Sequence, residues 1–374
     1  MSSVSHWAGY ASSLAATALL AFGGVGALVQ ARASAASVPV AHDYRDRNFD
    51  YFVTGDPSLP RAQRTQFGLA LMGGGGSVDE AFRFIARHAG GGHIVVLGAV
   101  GDDSFDPTDG KYGPQFAKRW GPVASTQTFI FHNRAAASDP RVIEALRNAD
   151  GIFLMGGDQG DYIRYWKGTP VQAALDAHVA AGRPIGGSSA GLAILGRYSY
   201  GSLDAGSMES KTALADPFDA GMTLEDDFLH FHWLETVVTD THFSARHRLG
   251  RLAAFLARFE ENAPAPGVFG VGVDEQTALL IEPDGVGHVA KGSVGSVWVL
   301  IPQGPARILK PAQPLSMDNI RLYRLGEGGE IRMDTRAVSH PAAEAVISID
   351  QGKLTHESIA SPIFLRASAP PGES

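Results

Sequence analysis

Three short apolar runs in this chain each stop at a cluster of glycines. Residues 66–72 precede Gly73-Gly74-Gly75-Gly76, residues 151–155 precede Gly156-Gly157, and residues 184–187 close on Gly186-Gly187. Between the runs lie stretches with helical spacing, such as residues 78–88 with Val78, Ala81, Phe82, Phe84 and Ile85. Short, continuously apolar strands alternating with helices satisfy both their faces in a parallel sheet covered on each side. Ligand sites in such sheets form at the carboxyl ends of strands. The three glycine ends are therefore expected to share one edge and one crevice.

The same reading predicts strands at 93–97, 126–131 and 237–240, and helices at 140–148, 162–166, 171–181 and 244–259. Residues 268–273, 278–281 and 294–301 read as further strands, with Pro283-Asp284-Gly285 as a turn between them, and this end resembles antiparallel hairpins. The divisions expected are a signal segment at 1–36, a polar lead-in at 37–60, an α/β domain at 61–335, and an extension and tail at 336–374.

Gly187-Ser188-Ser189-Ala190-Gly191 stands where the third run should pass into a helix. Gly-x-Ser-x-Gly at a strand-to-helix junction makes a turn tight enough to lift the serine hydroxyl out of the sheet. The helix start behind it aims N–H groups at an oxyanion, so the Ala190 N–H and one from the Gly156-Gly157 turn are the expected donors. A serine nucleophile needs a base and an acid that orients the base. Asp240-Thr241-His242 puts His242 directly after a strand, on the edge where the serine should sit. Candidate acids between the two are Asp204, Glu209, Asp216 and Glu225, with Glu209 in a polar loop twenty residues past the serine.

Arg246, Arg248 and Arg251 crowd what should be the start of a helix, where the dipole disfavours cations. They imply a substrate anion or a buried carboxylate; surface charge paired with Asp226 and Asp227 is the plainer alternative. Asp158 and Gln159, following a strand end, could hold a substrate. His230, His232, Asp240 and His242 can be drawn as a zinc site, although His-x-His on a strand is common without metal and no metal is expected.

With 374 residues, 44% of them hydrophobic and 19% charged, the chain is long enough for one large domain or two small ones. A net charge of −8 and the lack of a Lys/Arg stripe argue against a nucleic-acid partner. No cysteine is present, which removes disulfides, thiolate metal sites and a cysteine nucleophile. The apolar run 14–29, followed by Ala-Ser-Ala-Ala at 33–36, has the form of an export signal and is short for a membrane span. The expected location is secreted or periplasmic, with no stable span after processing.

In four motifs the chain resembles the cyanophycinase and dipeptidase E family of serine peptidases. They are Gly-Gly-Asp-Gln (156–159), Gly-Gly-Ser-Ser-Ala-Gly (186–191), Asp-Thr-His-Phe with Arg-x-Arg-x-x-Arg (240–251), and Gly-Val-Asp-Glu-Gln-Thr-Ala (272–278). The resemblance implies a flavodoxin-like, doubly wound and mostly parallel sheet akin to class I glutamine amidotransferases, with a C-terminal hairpin extension. It implies Ser189 as nucleophile, His242 as base and Glu209 as orienting acid. Ala190 and Gly157 would form the oxyanion hole. Asp158, Gln159, Arg246, Arg248 and Arg251 would bind a peptide or polymer carrying β-aspartyl links. No cofactor is implied, and a homodimer is. Thr241 stands where the family has Gln. Two rivals share parts of this pattern: an α/β-hydrolase esterase with Gly73 to Gly76 as its oxyanion loop and His340 or His356 as base, and an exported binding protein without catalysis.

Overall fold

The structure is a computed structural model that describes residues 42–357 apart from 100–111, 205, 262–266 and 293–294. The apolar runs form strands β3 (Leu69–Met72), β4 (His93–Ala99), β5 (Ser125–Phe131), β6 (Gly151–Leu154) and β7 (Ile185–Ser188), after the hairpin β1 (His42–Arg45) and β2 (Phe49–Gly55). They order as β5-β4-β6-β7-β3, all parallel. Alternate residues serve opposite faces. Leu69, Leu71, Val95, Leu97, Ile152 and Leu154 pack with the helices Pro140–Asn148, Gln159–Trp166 and Pro170–Ala180. Ala70, Met72, Ile94, Val96 and Phe153 meet Phe82, Phe84 and Ile85 of the helix Asp79–His88 on the other side. The sheet is thus buried on both faces, and each large aliphatic contributes about 1.5–3 kcal/mol.

Antiparallel strands widen this centre on both sides. The hairpin β1–β2 joins through β5. After β8 (Ser199–Tyr200), β9 (Leu224–Glu225), β10 (Val237–Asp240) and β11 (Phe269–Val273), β12 (Thr277–Ile281) pairs with β3. Beyond it lie β13 (Val286–Lys291), β16 (Glu330–Arg332) and β17 (Val338–Ser339), giving eleven strands. A second sheet of six orders as β10-β11-β14-β15-β18-β19, with β14 (Val297–Pro302), β15 (Met317–Leu325), β18 (Ala343–Asp350) and β19 (Lys353–Glu357). Its core joins Val238, Leu252, Phe255, Leu256, Leu300, Leu322 and Ile347 under the helix Leu249–Glu260.

Three expectations need correction. Residues 49–55, inside the expected lead-in, are a strand: Phe49 and Val53 reach the core, and Asp50 and Thr54, polar yet buried beside them, interrupt the apolar pattern. The boundary after 335 runs between paired strands, since β16 pairs with β17 and β15 with β18. The helix expected from 244 begins at Leu249, because His242 and His247 have φ of 45° and 50° and turn the chain first. The expected signal segment at 1–36 and the last residues of the tail lie outside the described residues. Among the described residues no helix is long and apolar enough to cross a membrane. The described residues all fall in one unit.

Candidate active site

The carboxyl ends of β3, β6 and β7 do meet, and backbone geometry builds what lies there. Ser189 follows β7 at φ 52° and ψ −117°, a left-handed conformation that costs a non-glycine residue about 1–3 kcal/mol. The residues two positions before and after it must be glycine. A Cβ on Gly187 would stand 2.4 Å from the Gly191 carbonyl oxygen, and one on Gly191 would stand 2.3 Å from that of Leu154. The Ser189 N–H donates to the Met72 carbonyl at 3.0 Å, which fastens the turn to β3.

The Gly73–Gly76 loop organises the opposite wall. The Gly73 carbonyl accepts from the His242 N–H at 2.8 Å, and that of Gly74 from the Gln276 N–H at 2.8 Å. Gly74 has φ of 94°, and a Cβ there would come within 2.5 Å of His242 Nε2 and 3.1 Å of the Ser189 Cβ. Ser189 Oγ is 2.8 Å from His242 Nε2, and His242 Nδ1 is 2.6 Å from Glu275 Oε1. With the carboxylate accepting from Nδ1–H, Nε2 is free to accept the serine proton. Burial pushes the His242 imidazole below its ordinary range, the Glu275 hydrogen bond opposes this, and the positive charges of Arg246 and Arg248 add to the lowering. The ring is therefore neutral near pH 7, as a base must be.

Glu209 is not the carboxylate on His242. It is exposed at the start of the six-residue helix Ser210–Ala215 and makes no capping hydrogen bond. Asp216 caps Phe218, Glu225 pairs with Lys167, and Asp204 is exposed. Glu275 comes after His242 in the chain, so a search between serine and histidine misses it. The signal that could have found it was the Asp-Glu pair of the 272–278 motif. The resulting order of serine, histidine and acid differs from the α/β-hydrolase order, and His340 is exposed on another part of the surface.

The three arginines separate. Arg251 is 2% exposed and grips Asp240 side-on, Nε to Oδ2 at 2.8 Å and Nη2 to Oδ1 at 2.5 Å. Arg248 bonds the Thr241 carbonyl and hydroxyl at 2.8 and 3.0 Å. Burial lowers it to about 10. Both reach Ser207 Oγ. They serve a buried carboxylate, and Thr241, itself buried, is held between them and His242. Arg246 alone is exposed; its N–H donates to the His242 carbonyl at 3.0 Å, while its guanidinium has no hydrogen-bonding or ion-pair partner among the described residues.

Asp158 caps the helix Gln159–Trp166 by accepting from the Gly160 N–H at 2.8 Å. Gln159 donates to the Tyr200 carbonyl at 3.1 Å. A Cβ on Gly156 would stand 3.4 Å from the Ser189 Cβ, so the Gly156-Gly157 turn borders the serine. Ala190 opens a helix, where an N–H lacks an intrahelical acceptor. The residues drawn as a zinc site are committed elsewhere: Asp240 to arginines, His242 to Ser189 and Glu275, and His230 to Asp227. Among the described residues no group of three or more His, Cys, Asp or Glu could hold a metal ion.

A strained serine bonded to a neutral histidine, on a doubly wound sheet, defines a serine hydrolase. The profile of peptidase family S51 matches residues 125–289, which hold Ser189, His242 and Glu275. The cyanophycinase of Synechococcus elongatus is 29% identical over 256 residues, 67% of this chain and 73% of that protein. That of Geminocystis herdmanii is 24% identical over 257 residues, 66% and 86% of the two chains. The crystal structure of a peptidase from an acI-B1 Actinobacterium shares the fold with a TM-score of 0.50 at 18% identity, covering 72% of this chain and 98% of that one. Over residues 125–289 the chain is similar to peptidase family S51, and it is a serine peptidase.

Proposed function

We propose that this peptidase hydrolyses β-aspartyl links, as in cyanophycin or isoaspartyl peptides, through an acyl-enzyme on Ser189. The observation that carries the reading is the chain Ser189 Oγ, His242 Nε2, His242 Nδ1 and Glu275 Oε1, with contacts of 2.8 and 2.6 Å. His242 Nε2 takes the hydroxyl proton as Oγ attacks the carbonyl carbon. The oxyanion accepts from the N–H groups of Ala190 and Gly157, and Glu275 stabilises the imidazolium. The imidazolium then protonates the leaving amine, the C–N bond breaks, and Ser189 holds the acyl group. A water gives a proton to His242 as its oxygen attacks the ester carbonyl, and the imidazolium returns the proton to Ser189 Oγ as the C–O bond breaks, freeing the acid and the serine.

Support for the substrate comes from the cyanophycinase relatives and from the exposed Arg246. Its charge lies close enough to His242 to act on the imidazole and is unclaimed by a carboxylate among the described residues. In this reading Arg246 and Gln159 receive the β-aspartyl unit, and the enzyme acts after export. Incubation of the mature protein with cyanophycin, followed by mass spectrometry, should yield β-Asp-Arg dipeptides from the wild type and none from Ser189→Ala. Products from the Ser189→Ala protein would eliminate the mechanism. Labelling of Ser189 without dipeptide release would move the substrate to other isoaspartyl peptides.

A further inference from the structure

Asp274 immediately precedes Glu275, and its buried carboxylate meets donors rather than a cation. Oδ1 accepts from the Ser244 N–H at 2.8 Å and Oδ2 from the Ser296 N–H at 2.9 Å. The indole Nε1–H of Trp298 reaches both oxygens at 3.2 Å. The Asp274 N–H in turn donates to the Ser296 carbonyl at 3.1 Å. Ser244 lies two residues past His242, and the Phe243 N–H between them donates to the Val273 carbonyl at 3.2 Å. One side chain thus ties the turn that carries His242 to the turn that carries Glu275, and both to β14.

The chemistry requires a carboxylate. A buried charge without hydrogen bonds costs several kcal/mol, whereas this one accepts from two backbone N–H groups and an indole. An amide at the same place has one accepting atom, and its NH2 would face a backbone N–H. The loop with Ser296 is packed close: a Cβ on Gly295 would stand 3.0 Å from the Asp274 Cβ and 2.1 Å from Thr277 Oγ1. The brace therefore has little room to move. Glu275, whose side chain is 39% exposed, lies against Gly75, where an added Cβ would stand 2.6 Å from the Glu275 Cβ.

We propose that Asp274 is a positioning residue, which sets the approach of Glu275 to His242 by fixing their two turns against each other. The proposal rests on the reading of Ser189, His242 and Glu275 as the reacting chain. The test is the rate of Ser189 labelling by a fluorophosphonate, resolved into the binding constant KI and the bond-forming rate kinact, with the labelled peptide identified by mass. Asp274→Asn should lower kinact about tenfold to a hundredfold while KI stays within about twofold, because the loss is one of alignment. In a Glu275→Ala background the same substitution should lower kinact by less than about twofold, since the group it positions is gone.

A wild-type kinact in Asp274→Asn, or an undiminished loss in the Glu275→Ala background, overturns the proposal. A wild-type protein that is not labelled at all overturns the underlying reading with it. If Asp274→Asn does not fold, Trp298→Phe carries the test by removing one donor from both oxygens. An about threefold fall in kinact with KI unchanged is then expected, and an unaltered kinact overturns the proposal.

Discussion

Two polar clusters meet at the end of β10, and they handle charge in opposite ways. Asp240 and Arg251 are each 2% exposed at their side chains, and the carboxylate is enclosed by two guanidinium groups. One residue after Thr241, the Ser189-His242-Glu275 chain has no guanidinium hydrogen-bonded to it, and its terminal carboxylate is 39% exposed. The first arrangement is neutralised and sealed, and it fixes the backbone that ends in His242. The second keeps an uncharged imidazole between a hydroxyl and a solvated carboxylate, where a proton can move. Three arginines spaced along one motif can therefore belong to different clusters. Burial and partners distinguish them; spacing does not.

The sharpest break in that comparison is a pair of substitutions. Glu275→Ala should lower kcat about 10²- to 10⁴-fold, in the range seen when a triad carboxylate is removed, while Glu209→Ala should leave it unaltered. A loss in Glu209→Ala as large as that in Glu275→Ala would move the acid away from His242.

The sealed cluster should register in stability. Arg251→Leu leaves Asp240 buried without its bidentate partner, and chemical denaturation should show a loss of about 3–5 kcal/mol. Replacing Asp240 and Arg251 together with apolar residues should recover part of it. A double variant weaker than Arg251→Leu alone would mean the pair does more than compensate charge.

His178, remote from both clusters, shows what burial does without a carboxylate. Its Nε2 bonds the Pro184 carbonyl at 2.9 Å, its Nδ1 is buried without a partner, and burial lowers its pKa to about 4. The unfolded chain binds a proton below about pH 6.5, and the folded chain does not until about 4. Stability should therefore fall by about 3 kcal/mol as pH drops through that window and then level. Denaturation of His178→Gln across the same window should give a shallower slope, and an equal slope would assign the acid loss to other groups.

The smallest expected effect is at Arg246. Its positive charge lowers the His242 titration, so Arg246→Ala should move the acid limb of the kcat/KM profile to higher pH, toward the ordinary imidazole value. No movement in the profile would confine Arg246 to substrate contact.

The centre of the fold was legible because each parallel strand is apolar on both faces, as at Ile94-Val95-Val96-Leu97, and stops at glycine. Ser189 and His242 were legible for the same reason, since both stand at strand ends. Strand β2 was obscured by Asp50 and Thr54, which are polar yet buried, and β15 and β18 by mixed faces such as Asp318, Asn319 and Glu344. Glu275 lies in a tight turn between β11 and β12, set beside His242 by the β10–β11 register and brought to the serine by the contact of β12 with β3. That pairing joins residues about two hundred positions apart, and no local pattern encodes it. Of the two partners the arginine spacing allows, Arg248 and Arg251 meet the buried carboxylate, which is Asp240 at the end of β10.

The glycine loop at 73–74 carries a further consequence for how this enzyme could change. Its carbonyls hold His242 and Gln276 by their main-chain N–H groups, so most amino-acid exchanges around the crevice leave those bonds untouched. A single methyl group at position 74 would instead fall on the imidazole. If Arg246 receives the substrate as proposed, preference for substrate can drift there while the geometry at His242 stays constant. The most constrained part of the crevice is a space beside Gly74 that only hydrogen can border.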